Sequence, residues 1–320
     1  MQERQPNVMR EAHSVKILLT GASGYIGLHI LQDLLKAGHQ VTALVRVPTK
    51  LGPFLGHPLL KTIEIDLENT PSLESALDGH DVCIHAALVR SDPASELEMR
   101  DLAVAAKFFE AAGRARLTRC IYLSSVAVHR PFTGVMREED ALITTDFYGA
   151  TKAAGELFLH ASCARHSMTG IVVRPGPVVG PPAFLGGAFG SHNRLPEMVN
   201  AAMANQPMEV LRGDGRQFID VTSLAKFIRL LTTAQAPYPT YICVDRDLIT
   251  WEQVARLVGA CLQSSSDVRI LPHELQNQTP YFQTDRFEQV MGEKSNAETA
   301  LLAHIHHLAR ISAETKPKIS

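Results

Sequence analysis

Long apolar runs are missing from this sequence. None of its apolar stretches approaches the roughly 18–20 residues that a helix needs to cross a bilayer, so no membrane insertion is expected. An excess of one charge is missing too. With 31 lysines and arginines against 33 aspartates and glutamates, the chain has no electrostatic footprint for nucleic acid or an anionic membrane surface. Cysteine is sparse: Cys83, Cys120, Cys163, Cys243 and Cys261 are scattered, odd in number and without a CxxC pair. That argues for reduced thiols in a cytosolic compartment, several of them packed in strands. Residues 1–14 are polar with no apolar h-region, so a cytoplasmic location without a secretory signal is expected. Internal repeats and low-complexity segments are absent. His304, His306 and His307 look like a metal cluster only in composition, because spacings of two and one on a helix do not converge. Solvated histidines and no metal are expected there.

What is present starts with Val15 to Gly27, VKILLTGASGYIG. Val15, Ile17, Leu18 and Leu19 read as a strand buried on both faces, broken by a glycine-rich turn that opens onto a helical pattern over 25–37. Gly21, Gly24 and Gly27 stand three apart. In a strand–turn–helix such glycines let the backbone turn tightly, approach a pyrophosphate and pack helix on strand. The helix N-terminus then offers free N–H groups and a positive dipole end.

Further strands are expected over 40–45, 60–65, 81–85, 120–123, 170–173 and 241–244, and helices over 71–77, 99–112, 148–166, 195–205, 223–233 and 251–262. Trp251 reads as a packing residue at a helix start. Strands alternating with helices mean βαβ crossovers and a parallel, doubly wound α/β sheet of the Rossmann type, its first six strands in the six-strand layout. With 320 residues, 45% hydrophobic and 20% charged, the chain can carry such a sheet and a second, smaller lobe. The expected division is a dinucleotide-binding domain over 15–174, rejoined by 217–246, and a C-terminal substrate-binding lobe from 175–216 and 247–315. The Pro- and Gly-rich stretch after Arg174 would fold over the carboxyl edge of the sheet, and the tail from Lys316 reads as loose.

The strongest chemical signal is Tyr148-Gly149-Ala150-Thr151-Lys152. At i and i+4 on a helix, phenol and ammonium share one face. A free tyrosine titrates near pH 10, so it serves as an acid or base at neutrality only beside fixed positive charge. Ser124-Ser125 ends the fifth strand, 23 residues before Tyr148. A serine hydroxyl at that edge can hold a substrate oxygen while the phenol moves the proton. At the end of the second strand stand Arg46 and, four residues on, Lys50. An acidic residue there would suit a ribose 2′-hydroxyl; arginine suits a 2′-phosphate, which favours NADP(H) and leaves NAD(H) open.

In combination, TGASGYIG, Asp66-Leu67, HAA (His85 to Ala87), YLSS, YGATK and RPGPVVGP make the chain resemble the extended short-chain dehydrogenase/reductase family over about residues 15–245. This is the NAD-dependent epimerase/dehydratase superfamily. The resemblance implies that Tyr148 is the catalytic acid/base, that Lys152 binds the nicotinamide ribose and that Ser125 orients the substrate. It implies cofactor contacts from Gly21, Ser23, Gly24 and Gly27, from the backbone of Tyr25 and Ile26, and from Asp66 and Leu67 at the adenine. Ala86 and Ala87 would lie along the cofactor, with Pro175 and Val178 near the carboxamide. Members often dimerise through helices like 99–112 and 148–166, so a homodimer is compatible with the sequence.

The chain departs from the nucleotide-sugar branch at Pro177, His129 and Asp101, where that branch usually carries Asn, Tyr and Asn. The RPGPVVGP segment and ALVR look more like the dihydroflavonol-reductase and hydroxysteroid-dehydrogenase branches. These imply an NADP(H)-dependent oxidoreductase acting on a small lipophilic carbonyl or alcohol. Gly213-Asp214-Gly215-Arg216, resembling a sugar-nucleotide turn, keeps an epimerase or dehydratase with recycled NAD(P) as the alternative. A catalytically silent dinucleotide sensor would be expected to have lost Tyr148 or Lys152, and both are present. His129 is open between pocket wall and plain loop residue.

Overall fold

Seven of the stretches expected as strands become one seven-stranded sheet. The computed structural model describes residues 15–68, 70–88, 94–233, 235–272 and 280–315; the polar start at 1–14 and the tail expected to be loose from Lys316 lie outside them. The strands are β1 (Lys16–Thr20), β2 (Gln40–Val45), β3 (Leu60–Glu64), β4 (Val82–His85), β5 (Arg119–Leu123), β6 (Thr169–Pro175) and β7 (Thr240–Cys243). They form one sheet in the order β3-β2-β1-β4-β5-β6-β7. Every neighbouring pair is parallel. The Rossmann expectation holds, with 240–243 added as a seventh strand at the β6 edge.

Alternate side chains of each strand feed opposite layers, as a two-sided parallel sheet demands. Ile17 and Leu19 pack under α1 (Tyr25–Lys36), whereas Leu18, Cys83 and Cys120 face the other way. On that second side lie α2 (Thr70–Leu77), α3 (Ala94–Arg114) and α4 (Phe147–His166). Cys83 and Cys120 are register partners on adjacent strands, buried and free, and Cys243 is likewise a buried, free strand residue. The second helix flanking the first layer is α6 (Val221–Thr233), which follows α5 (Arg194–Met203) in the chain.

Beyond β6 the chain is less irregular than its Pro and Gly content suggests. Val178–Val179 forms a short strand parallel to Ile219–Asp220, and Met208–Leu211 one parallel to Val268–Leu271. Of α7 (Trp251–Leu262), α8 (Asp285–Met291) and α9 (Ala297–Thr315), α8 packs Phe287 and Met291 back against α6 and β7, though inside the range expected for the lobe, while α7 and α9 close the lobe. Its core gathers α5, α7 and α9 around Trp251 and Phe218, both fully buried. Trp251 is thus the packing residue at a helix start, and Thr250 caps that helix with a reciprocal Gln253 capping box.

Among the described residues no helix is long and apolar enough to cross a membrane.

Candidate active site

The strands end on one edge of the sheet, and the residues that follow them line one cleft of about 790 Å³. After β1 come Gly21, Ser23 and Gly24; after β2, Arg46 and Lys50; after β3, Asp66 and Leu67; after β4, Ala86 and Ala87; after β5, Ser125. Pro175 ends β6 and Val178 lies just beyond it. Tyr25, Ile26 and Gly27 open α1 onto the same cleft, while Tyr148 and Lys152 enter it from α4. All the site candidates drawn from the sequence therefore share one surface. It lies where an open α/β sheet receives ligands, across the switch point between β1 and β4 where the strand order reverses.

The glycines there are required by space. Gly21 has φ +70, and a Cβ on it would fall 2.6 Å from the backbone of Ala86 and Ala87. A Cβ at Gly27 would run into the Gly21 carbonyl oxygen. Helix α1 starts from Gly24 with no side-chain cap and no acidic residue in its first turn. Its first N–H groups thus point at the cleft with their positive potential unspent.

At the other end of the cleft Asp146 caps α4 through the Gly149 N–H at 2.9 Å. This fixes the first turn, from which the half-buried Tyr148 projects. One turn on, Lys152 is 4% exposed, which is no place for a decorative surface lysine. Its Nζ lies 5.9 Å from the Tyr148 ring centre, 5.2 Å from that of Tyr122 and 3.4 Å from Asp101 Oδ2. Burial works against the ammonium, but Tyr122, Asp101 and Tyr148 outweigh it and hold Lys152 above the ordinary lysine range. Ser125 Oγ accepts the Ala127 N–H at 3.1 Å and so caps the 126–129 turn. That leaves its hydroxyl proton to donate into the cleft. Its neighbour Ser124 instead turns inward, donating to Glu156 Oε1 at 2.6 Å.

Behind the site stands a buried network that sequence reasoning missed. Arg174 grips Glu156 through Nε at 3.0 Å and Nη2 at 2.6 Å, and its Nη1 meets His129 Nε2 at 3.1 Å and the Glu138 carbonyl at 3.0 Å. His129 therefore props the wall from behind. Of the three C-terminal histidines expected to be solvated, His304 departs from that reading: it is fully buried. Its Nδ1 lies 2.9 Å from the Gly180 oxygen and its Nε2 lies 2.8 Å from Ser191 Oγ. His306 is exposed and His307 half-buried.

Burial pushes three of these imidazoles well down from about 6.5: His85, aided by the Lys152 charge, to about 3, His129, aided by Arg174, to about 4, and His304 to about 4. Between those values and 6.5 the unfolded chain binds more protons than the folded one, so stability rises with pH and is lost as pH falls through that window. Melting temperature is expected to drop by roughly several degrees per pH unit below about pH 6, with a shallower slope in His304→Asn. A flat profile between pH 7 and 4.5 would contradict this account.

The roof of the cleft comes from the Pro- and Gly-rich stretch after Arg174, the segment expected to fold over this edge. Phe184 and residues 186–190 cover it. Phe184 packs edge-on against Phe54 with ring centres 5.9 Å apart, in contact with Gly52, whose positive φ and missing side chain make room. The Tyr25 hydroxyl donates to the Gly180 oxygen at 2.8 Å. The glycine turn and the roof are thereby fastened to each other.

Comparison with known proteins decides the family. A profile of the NAD dependent epimerase/dehydratase family matches residues 17–242. The chain belongs to that family. It is an enzyme of the NAD-dependent epimerase/dehydratase type. A 3-beta-hydroxysteroid dehydrogenase of Mycolicibacterium neoaurum is 26% identical over 52% of this chain and 48% of its own length. The chain thus spans about half the length of that relative. A dTDP-4-dehydro-6-deoxy-D-allose reductase of Streptomyces bikiniensis is 26% identical over 80% of this chain and 84% of its own. In fold, the chain is similar to UDP-glucuronic acid 4-epimerase from Bacillus cereus in complex with NAD. The TM-score is 0.77 at 18% identity, covering 92% of this chain and 99% of that one.

The residues present fit the family's dinucleotide. The glycine cradle would be filled by any Cβ at Gly21, the uncapped end of α1 suits a pyrophosphate, and Arg46, Lys50 and Lys152 supply cations along the same cleft.

Proposed function

We propose that this enzyme of the epimerase/dehydratase family is an NADP(H)-dependent oxidoreductase that interconverts a carbonyl and an alcohol on a small, lipophilic substrate. The observation that carries the reading is the meeting of Ser125, Tyr148 and Lys152 on one cleft with a buried ammonium beside the phenol. The nicotinamide, when bound, supplies or takes up the hydride. Ser125 donates its hydroxyl proton to the substrate oxygen and holds the carbonyl in place. Tyr148 protonates that oxygen on reduction and removes the proton on oxidation. Lys152 makes the phenolate less costly and is itself kept charged by Asp101. The glycine turn and the α1 N-terminus hold the pyrophosphate, Asp66 and Leu67 the adenine end, and Pro175 and Val178 flank the carboxamide. A panel of carbonyls and alcohols assayed with NADPH and NADP+ tests the reading.

The preference for NADP(H) rests on Arg46 and Lys50, both exposed and facing the cleft at the end of β2. Arg46→Ala is expected to raise the KM for NADPH roughly tenfold, the worth of one charge-assisted contact, while leaving the KM for NADH nearly unchanged. A wild-type enzyme that favours NADH by a large factor would overturn it.

The similarity to nucleotide-sugar enzymes favours a second reading, an epimerase or dehydratase that recycles its cofactor. It predicts nicotinamide retained through purification and heat protection by UDP- or dTDP-sugars. Pro177, with no side-chain donor, weighs against it.

A further inference from the structure

Opening from the main cleft is a second cavity of about 280 Å³. The two share Tyr25, Ser125, Gly176, Val178 and Gly190, so a molecule seated in the second reaches the Ser125 hydroxyl. Much of its wall is apolar, with Phe132, Phe282 and Pro280 prominent. Its charged lining is of one sign: Arg130 and Arg216 face it, joined by His192, and no carboxylate lines it among the described residues.

The supporting contacts leave those groups with donors to spare. Arg130 Nη1 rests on Asp146 Oδ2 at 3.4 Å, and Arg216 Nη1 on Asp214 Oδ1 at 2.8 Å and the Gly215 oxygen at 2.6 Å. Among the described residues, Nε and Nη2 of both guanidiniums have no polar partner. Asp214 is moreover shared with Arg194 at 3.2 Å, so two cations face one carboxylate. His192 Nδ1 accepts the Arg194 N–H at 3.3 Å, which leaves Nε2 as a donor. Burial, then Arg216, Arg194 and Arg130, hold this imidazole below its ordinary value and therefore uncharged, with Glu197 the one acid opposing them. Of these three arginines, Arg130 and Arg216 line the cavity beside His192.

Unpaired guanidinium donors in an apolar-walled cavity select an oxyanion, and their planar fork matches a carboxylate. The volume sits below the about 300–1,000 Å³ of sites for drug-sized ligands, which suits a compact acid. We propose that this cavity binds a carboxylate of the substrate, making the substrate class a small oxo or hydroxy acid with an apolar body. The acid group would lie between Arg130 and Arg216 and the reacting carbon at Ser125 and Tyr148. The inference rests on the oxidoreductase reading for that last placement alone.

The chain carries a built-in reporter. Its single tryptophan, Trp251, lies 5.9 Å from the Arg216 guanidinium carbon, 4.9 Å from that of Arg194 and 5.2 Å from the His192 ring. Benzoate, phenylacetate, 3-phenylpropionate and hexanoate, each beside its carboxamide, are titrated into the full chain while tryptophan emission is followed. At least one acid is expected to change the emission saturably and to bind ten or more times more tightly than its amide. Arg130→Met and Arg216→Met should each weaken that acid at least tenfold and leave the amide unmoved. Should Arg216→Met not fold, the acid–amide comparison and Arg130→Met carry the test. The proposal is overturned if no acid outbinds its amide, if the preference survives both substitutions, or if UDP displaces the acid at lower concentration than the acid itself needs. Tyr148→Phe should bind the acid as the wild type does. Acid binding without carbonyl reduction in any assay would remove the oxidoreductase reading and leave the anion site standing, and reduction without acid preference would do the reverse.

Discussion

Replacing Tyr148 with phenylalanine is expected to slow turnover by about 10²–10⁴-fold, the usual worth of a general acid–base group, in both reaction directions. The affinity for NADPH should stay near wild type. The change removes only an oxygen, so the ring keeps its place near the Lys152 ammonium, 5.9 Å from Nζ to centroid. Replacement of its proton-transfer role from nearby is excluded by the chemistry of the neighbours. Ser125 is a weak acid engaged as a turn cap, Lys152 is tied to Asp101, and Asp66 and Glu68 line the far end of the cleft, after β3. Steady-state rates give the loss, and NADPH fluorescence titration gives the binding. Turnover within a few-fold of wild type would remove Tyr148 from the chemistry.

The second large effect concerns stability. Arg174→Met should cost about 3–5 kcal/mol, because it strands a buried carboxylate. Glu156 is 1% exposed and takes two charged hydrogen bonds from Arg174. Without them its remaining partner among those described is the Ser124 hydroxyl. The same substitution empties the support behind His129 and the Glu138 carbonyl. A paired change, Arg174→Met with Glu156→Leu, should recover much of the loss, since no lone charge stays buried. Urea unfolding of the three variants measures both. A single-variant loss under about 1 kcal/mol would mean that water reaches Glu156.

Six of the seven strands were readable because each is a short, mostly apolar run buried within the sheet, whereas β3 at the edge, LKTIE, exposes Lys61 and Glu64. Tyr148 and Lys152 were readable because helical spacing needs no knowledge of the tertiary fold. What escaped was whatever depends on distant chain segments meeting. The Arg174–Glu156–Ser124 network joins two strand ends to a helix, and nothing in the local pattern around any of the three announces it. Phe184 reads as one residue of a loop until Gly52 is placed beneath it.

His304 is a different kind of miss. A test for converging metal ligands is the wrong one for this helix. Ala300, Leu301, Ile305 and Leu308 repeat at three and four residues and are buried, and His304 stands on that stripe. The periodicity carried the signal. The Arg46 case shows the limit from the other side: its position at the end of β2 was readable, but its preference between two cofactors is a matter for titration.

The tie between His304 and Gly180 spans 124 residues of chain. By the end of β6 the polypeptide already holds the glycine turn, Ser125, Tyr148 and Lys152. A second tie on the segment that closes over them, beside the Tyr25 bond to the same Gly180 oxygen, comes only with the last helix. A truncation ahead of residue 297 would therefore keep every reacting side chain and the Tyr25 and Phe54 contacts to this segment, and lose its His304 tie. Such long-range closure is slow relative to local folding.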